Sequence, residues 1–398
     1  MFKQELLYKI SDREYKLKYL KNTVIQLGLL NQKKPLIIYT GTNRLPLLNP
    51  TNRIANKKTI NRIKKHGLDI YLYEPMSLYY SPARRHNRGY YSELPDNADK
   101  VLRSDELDSI EEYAVKHNLT NVTVYTGDYD PCKLLNTTYA GLNIKTCDLF
   151  LHSLSISYSS IDVLQEKQVA FWCLNGRYTL PRHIIMAYLI QYSGKYSWHQ
   201  TVNLINLIAF DKTPWDEQWF DFTSLTVEQQ EKIKNGNNKL LSTTFYVDEI
   251  PSKDSVTEIS QCAIPNKSLN SNSSLVFQLC NQAFVAVVNE TRFAQPLANI
   301  SEKTLHAIAA GQPFILAAPP LSLEYLKKLG FKTFEDFWDE SYDQEKNHTE
   351  RLKKLFNVFD QIGNITSDEM RMLNKKMFPI LEYNQRRLRH FLRNPVIL

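Results

Sequence analysis

No uninterrupted apolar run of about 18 residues occurs anywhere in this chain of 398 residues. A membrane-spanning helix is therefore excluded from the sequence reading. Residues 1–20 carry charges throughout and lack the apolar stretch of a secretory signal, so the expected compartment is the cytoplasm. Cysteine is sparse. The five present (Cys132, Cys147, Cys173, Cys262 and Cys280) lie far apart, never form CxxC, and read as reduced thiols. Glycine is scarce as well, 12 residues against 23 tyrosines and 18 phenylalanines, the balance of a well-packed chain with aromatic-lined surfaces. No internal repeat or low-complexity segment stands out, and the Asn-x-Ser/Thr triplets of so Asn-rich a chain carry no weight.

What is present fits a folded protein with more than one core. The length suits two domains of ordinary size. A hydrophobic fraction of 43% and a charged fraction of 23% are globular values. The net charge of +7 and the isoelectric point near 8.9 favour an anionic partner: nucleic acid, a nucleotide or an acidic glycan.

Strands alternate with helices along most of the chain. Residues 34–41 form a short apolar run ending in turn residues, as a buried parallel strand does. A basic helix over 52–66 stops at Gly67, and a strand follows from Leu68. Ser104, before Asp105 and Glu106, caps a helix running to about 118. Strands are expected at 121–127, 145–151 and 168–176, with Pro181 opening a helix. The stretch 211–273 is less legible. A strand over 283–288, a helix over 301–310, a strand over 313–318 and a long basic helix over 367–393 complete the pattern. The fold class is α/β, with two Rossmann-like doubly wound domains: 1–160, and 161–398 with a helical tail.

One stretch carries more chemistry than the rest. Ser301 is a natural N-cap, so Glu302, Lys303 and Thr304 occupy a first helical turn whose N–H groups point outward. Leu305, Ile308 and Ala309 fall on one buried face, and Gly311 and Pro313 end the helix. Such a helix start at the edge of a parallel sheet is a ready site for a diphosphate. A first-turn lysine opposes the helix dipole by about 0.3–1 kcal/mol, which an adjacent anion offsets. The alternative is a solvated first turn with Ser301 acting only as a cap.

Ser301 to Thr304, followed by residues 309–315, resembles the donor-site helix of fucosyltransferase-like GT-B glycosyltransferases. Residues 323–343 resemble a family of glycosyltransferases common in bacteriophages and environmental microbes. Residues 174–183 look like that family's Leu-Asn-x-Arg element. The segments 73–93 and 103–110 resemble proteins of T-even-type phages, some of which glycosylate 5-hydroxymethylcytosine in DNA. The resemblance implies two domains facing a cleft, with Ser301, Lys303 and Thr304 on the donor diphosphate and Glu302 on the sugar or ribose. Glu290 and Arg292 would line the same crevice, and Arg177 and Arg182 would neutralise the departing nucleoside diphosphate. The alternative for Arg182 is a surface charge on a helix over 181–193. The acidic segment 339–343 reads as a solvated turn or as a partner for Arg177 or Arg182.

Inverting transfer needs a base for the acceptor hydroxyl, and Glu74, Glu93 and Asp128 end strands or sit in adjoining loops of the first domain. A retaining mechanism stays open. Asp128 and Asp130 form a D-x-D pattern, short enough that a divalent metal is not favoured. Arg84, Arg85, His86 and Arg88, flanked by Tyr79, Tyr80, Tyr90 and Tyr91, form a cationic and aromatic cluster. Such a cluster suits DNA phosphates and an unstacked base; a tyrosine-anchored surface loop is the other reading. Arg386, Arg387, Arg389, His390 and Arg393 read as a solvated helix face, with DNA contact as the alternative.

The expectation is a transferase moving glucose, or a pentose such as arabinose, from a nucleotide donor (UDP-linked in the simplest case) to hydroxymethylcytosine in DNA, with no further cofactor and no membrane partner. A glycan glycosyltransferase and a non-catalytic nucleic-acid-binding protein of the same fold are the competing readings.

Overall fold

The computed structural model describes residues 6–10, 34, 36–39, 57–72, 105–129, 138–152, 154, 156–161, 166–175, 180–192, 194–198, 221–242, 282–290, 293, 298–394 and 396–398. The first half comprises β1 (Leu6–Ile10), β2 (Leu36–Tyr39), α1 (Lys57–His66), β3 (Leu68–Leu72), α2 (Asp105–Lys116), β4 (Val122–Thr126), β5 (Leu142–Thr146) and the short α3 (Leu149–His152). Its five strands lie side by side in chain order, every pair parallel. The second half comprises β6 (Val169–Asn175), α4 (Leu180–Leu189), β7 (Gly194–Trp198), α5 (Val227–Ser242), β8 (Ala283–Asn289), α6 (Glu302–Ala309), β9 (Phe314–Ala317), α7 (Ser322–Lys328), α8 (His348–Gly363) and α9 (Ser367–Phe391). Its sheet is ordered β7-β6-β8-β9, again parallel throughout. No helix among the described residues is long and apolar enough to cross a membrane.

The α/β class with parallel sheets is thus as expected, but the winding differs between the two halves. Crossovers between parallel strands are right-handed, so a sheet laid down in chain order keeps its connections on one face. The first sheet does not reverse among the described strands. The second does reverse: β7 and β8 flank β6 on opposite sides.

Local chemistry accounts for the elements. All seven residues of β8 and all four of β9 are buried, as strands covered on both faces require. Gly67 ends α1 with φ at +81°, and a Cβ there would lie 2.9 Å from the Asn121 carbonyl oxygen, so only glycine fits. The strand expected over 145–151 lies earlier instead, at Leu142–Thr146. The Asp148 carboxylate accepts the Leu151 N–H at 3.0 Å and turns the following apolar residues into α3. Within 211–273, α5 was signalled by Thr226 and Gln229, which exchange hydrogen bonds of 3.2 and 3.3 Å as a capping box does.

Helix α5 packs on α4 at very close range. A Cβ at Gly236 would fall 1.7 Å from the Ala187 carbonyl oxygen. Gly236→Ala, despite its better helix propensity, is expected to force the helices apart and cost about 1–3 kcal/mol. A fall in the urea midpoint reads this; an unchanged or raised midpoint would contradict it.

Contacts at the end of β4 and beyond α9 tie the halves together. Beyond β4, Tyr129 donates its backbone N–H to the Ala298 carbonyl at 3.1 Å and stacks on Tyr325, with ring centroids 5.1 Å apart. The tail beyond α9 returns to the first sheet, where Leu398 and Thr146 exchange backbone hydrogen bonds of 3.0 and 3.1 Å.

Candidate functional site

In open α/β sheets, ligand-binding groups collect outside the carboxyl ends of the strands where the order reverses. Here that point lies between β6 and β8. Their last residues, Asn175 and Asn289, are both buried and joined by an amide hydrogen bond of 3.1 Å. Cys173 lies beneath them, 3.5 Å from the Asn175 amide and 3.3 Å from that of Asn289. Burial pushes its thiol up to about 12, against the opposing influence of Asn175 and Arg182, so it is an unreactive packing group.

Arg182, in the first turn of α4, is only 2% exposed. Its Nε and Nη2 donate to the Asn289 carbonyl at 3.2 and 2.7 Å. The reading of Arg182 as a surface charge is therefore corrected: the guanidinium clamps the end of β8 from beneath the crevice.

Glu290 follows directly and turns towards the start of α6. Ser301 caps that helix in an extended conformation, accepting from the Lys303 N–H. The Ser301 N–H lies 2.9 Å from Glu290 Oε1, the Ser301 hydroxyl 2.8 and 2.7 Å from the two carboxylate oxygens, and the Thr304 hydroxyl 3.0 Å from Oε1. Glu290, Ser301 and Thr304 are all buried. The anion at this helix start is thus the protein's own carboxylate, and both hydroxyls expected on a diphosphate are engaged with it.

Lys303 remains partly open, with 29% of its side chain exposed. Its ammonium lies 3.0 Å from the Ser301 hydroxyl, 3.0 Å from Glu302 and 3.7 Å from Glu290. Burial raises the Glu302 carboxyl, but Lys303, through charge and hydrogen bond, outweighs it with help from His306 and holds Glu302 below the usual carboxylate range. His306 is lowered by burial, with Glu302 opposing and Lys303 reinforcing.

Asp128, expected as a base, is wholly buried at the end of β4. Its Oδ2 lies 3.2 Å from the Thr126 hydroxyl, and its backbone carbonyl accepts from Thr146 at 3.1 Å. A carboxylate so enclosed does not reach an acceptor hydroxyl. The acidic segment is corrected too. Asp339 caps Ser341, but Asp343 is buried and accepts the Leu323 and Glu324 N–H groups at 2.8 and 3.1 Å, holding the start of α7. Burial lifts its carboxyl to about 6 against those two hydrogen bonds and the charge of Arg351.

Arg351 itself was not anticipated. It is wholly buried in α8, with Nη1 donating to the Glu345 carbonyl at 2.7 Å and Nη2 to the Phe293 carbonyl, while the guanidinium sits 4.3 Å from the Phe293 ring centre. Burial lowers it to about 9, opposed by Asp343 and Glu345. It anchors the chain between Glu290 and Ser301. Asn175 and Asn289 were missed as well, although an apolar strand ending in Asn, twice over, was a legible signal. Glu74, Glu93, Arg177, Arg292, Asp130, Arg84, Arg85, His86, Arg88, Tyr79, Tyr80, Tyr90 and Tyr91 lie outside the described residues.

Neither a protein-family model nor a curated protein matches this chain.

Proposed function

We propose that the chain is a nucleotide-sugar-dependent glycosyltransferase of GT-B type, using a UDP-linked sugar as donor and 5-hydroxymethylcytosine in DNA as acceptor. The observation that carries this reading is the strand-order reversal beside α6, whose start presents Lys303 over the Glu290 network. The contact of the β4 end with Ala298, in the segment leading into α6, supports a cleft between the two sheets.

In this reading the diphosphate contact falls to Lys303, because Ser301 and Thr304 serve Glu290. The buried charge of Arg182 adds positive potential from behind the crevice. Glu290 acts as a positioning residue that holds the helix start rigid. In the reaction, the acceptor hydroxyl oxygen bonds to the anomeric carbon as the bond from that carbon to the donor phosphate oxygen breaks. The hydroxyl proton passes to a base, and the nucleoside diphosphate leaves with the electron pair, its charge balanced by Lys303. Glu74 or Glu93 takes the base's role, Asp128 being enclosed. Fixed cations supply the charge stabilisation, and no step needs a metal.

Incubation with hydroxymethylcytosine DNA and a panel of UDP-sugars, followed by nucleoside mass spectrometry, is expected to show a hexose or pentose mass increment. Lys303→Ala is expected to lower the rate at least 100-fold, on the order of removing one cation from the transition state, in a protein that still melts cooperatively. No increment with any donor would sink the reading.

A further inference from the structure

From residue 370 to the end, the chain carries seven Lys and Arg side chains and one carboxylate, Glu382. That leaves a net +6 in this stretch, against +7 for the whole molecule. With Asp368 and Glu369 of its first turn counted, α9 and the residues just after it carry a net +4, more than half of the excess charge. The fold also sorts these side chains. Arg387 alone turns inward, with Nε 2.8 Å from the Leu329 carbonyl oxygen. Arg371, Lys375, Arg386, Arg389 and Arg393 are all exposed. Counted from Arg371, the others lie about one, four, five and six turns further on, so the five share one side of the helix.

Local pairing does not account for this face. Arg371 meets Asp368 at 2.9 Å and Arg386 meets Glu382 at 3.4 Å. Among the described residues, no carboxylate lies within ion-pair distance of Lys375, Arg389 or Arg393. Arg389 lies over the Tyr158 ring, 4.4 Å from its centre, and the exposed Tyr383 borders the same face.

We infer that the outer face of α9 is a docking surface for the phosphate backbone of duplex DNA. At about 1.5 Å per residue, Arg371 to Arg393 spans about 33 Å, close to one turn of a B-form duplex. Arginine dominates the C-terminal half of the row, and its planar fork suits phosphate oxygens. A membrane surface fits less well. An interfacial helix needs its apolar face for lipid, whereas Met370, Met377, Leu381, Leu388 and Phe391 are already buried in the protein. The inference stands on charge and shape and does not rest on sugar transfer.

The test is fluorescence anisotropy with a labelled 20-base-pair DNA and no donor sugar, titrated between 50 and 200 mM salt. Wild type is expected to bind with a steep negative slope of log K against log salt. Arg386→Gln/Arg389→Gln/Arg393→Gln is expected to flatten that slope by about 2.7, at about 0.9 for each phosphate no longer neutralised. Arg386→Gln/Arg393→Gln spares the Tyr158 stacking, guards against misfolding, and should flatten the slope by about 1.8. The equally discharged Lys57→Gln/Lys58→Gln/Lys64→Gln, on α1, should leave the slope near that of wild type. No binding by wild type, or an equal effect from the α1 variant, overturns the inference. Binding to heparin or to phosphatidylserine vesicles as tight as to the duplex overturns it as well.

Discussion

Glu290→Ala will destabilise the protein by roughly 3–5 kcal/mol, because one carboxylate satisfies four groups at the start of α6. Its removal leaves the Ser301 N–H and the Ser301 and Thr304 hydroxyls without their acceptor in a region from which water is excluded. Lys303 also loses a countercharge 3.7 Å away. Glu290→Gln keeps one carbonyl oxygen and nearly the same volume, and the hydroxyls can rotate to accept from its amide. Its expected loss is smaller, about 1–3 kcal/mol. Urea denaturation of the three proteins measures the series. A Glu290→Ala midpoint equal to that of wild type would show that the carboxylate does not organise this helix start.

Arg351→Met should lose a comparable amount, again roughly 3–5 kcal/mol, because a buried cation that binds main-chain carbonyls leaves those carbonyls unpaired when it is removed. The Glu345 and Phe293 carbonyls would lose their donor, and the Phe293 ring its cation. Arg351→Lys should recover little, since a single ammonium cannot reach both carbonyls as the guanidinium fork does. Amide hydrogen exchange locates the effect. Protection should fall at Ser301 and Lys303 more than in β8, whose backbone is held by its neighbours on both sides. Uniform loss of protection across the second half would place Arg351 in the general core and deny it a role in holding the segment before Ser301.

Glu290→Ala and Lys303→Ala bear differently on the proposed activity. Glu290 holds the residues that open α6, so its loss and the loss of Lys303 affect the same place by different routes. Lys303→Ala should cost less stability than Glu290→Ala, since Lys303 is partly exposed and the Glu290 hydrogen bonds remain, while removing the nucleotide contact. A protein that tolerates Lys303→Ala in folding and in nucleotide binding would point away from α6 as the donor helix.

The C-terminal half was largely legible in the sequence because its signals are local. The apolar runs that became β8 and β9 and the Ser301 cap are short-range patterns with one physical reading each. Where local signals compete, the reading failed. Leu149, Phe150 and Leu151 suit a strand as well as a helix, and the Asp148 side chain decides between them. Arg182 and Arg351 were opaque for a different reason. A charged residue reads as exposed unless something buried needs it, and their partners are main-chain carbonyls that no sequence displays.

The sequence by itself determined the α/β class, the helix start at Ser301 and the concentration of positive charge after residue 370, since each depends on neighbours within a few positions. Only the tertiary structure decided that the described strands of the first sheet run without reversal, that Glu290 fills the start of α6, and that Arg387 alone of the tail arginines turns inward. Those outcomes depend on which distant strands, carbonyls and hydroxyls are brought together, and such pairings are settled by competition for burial across the whole chain.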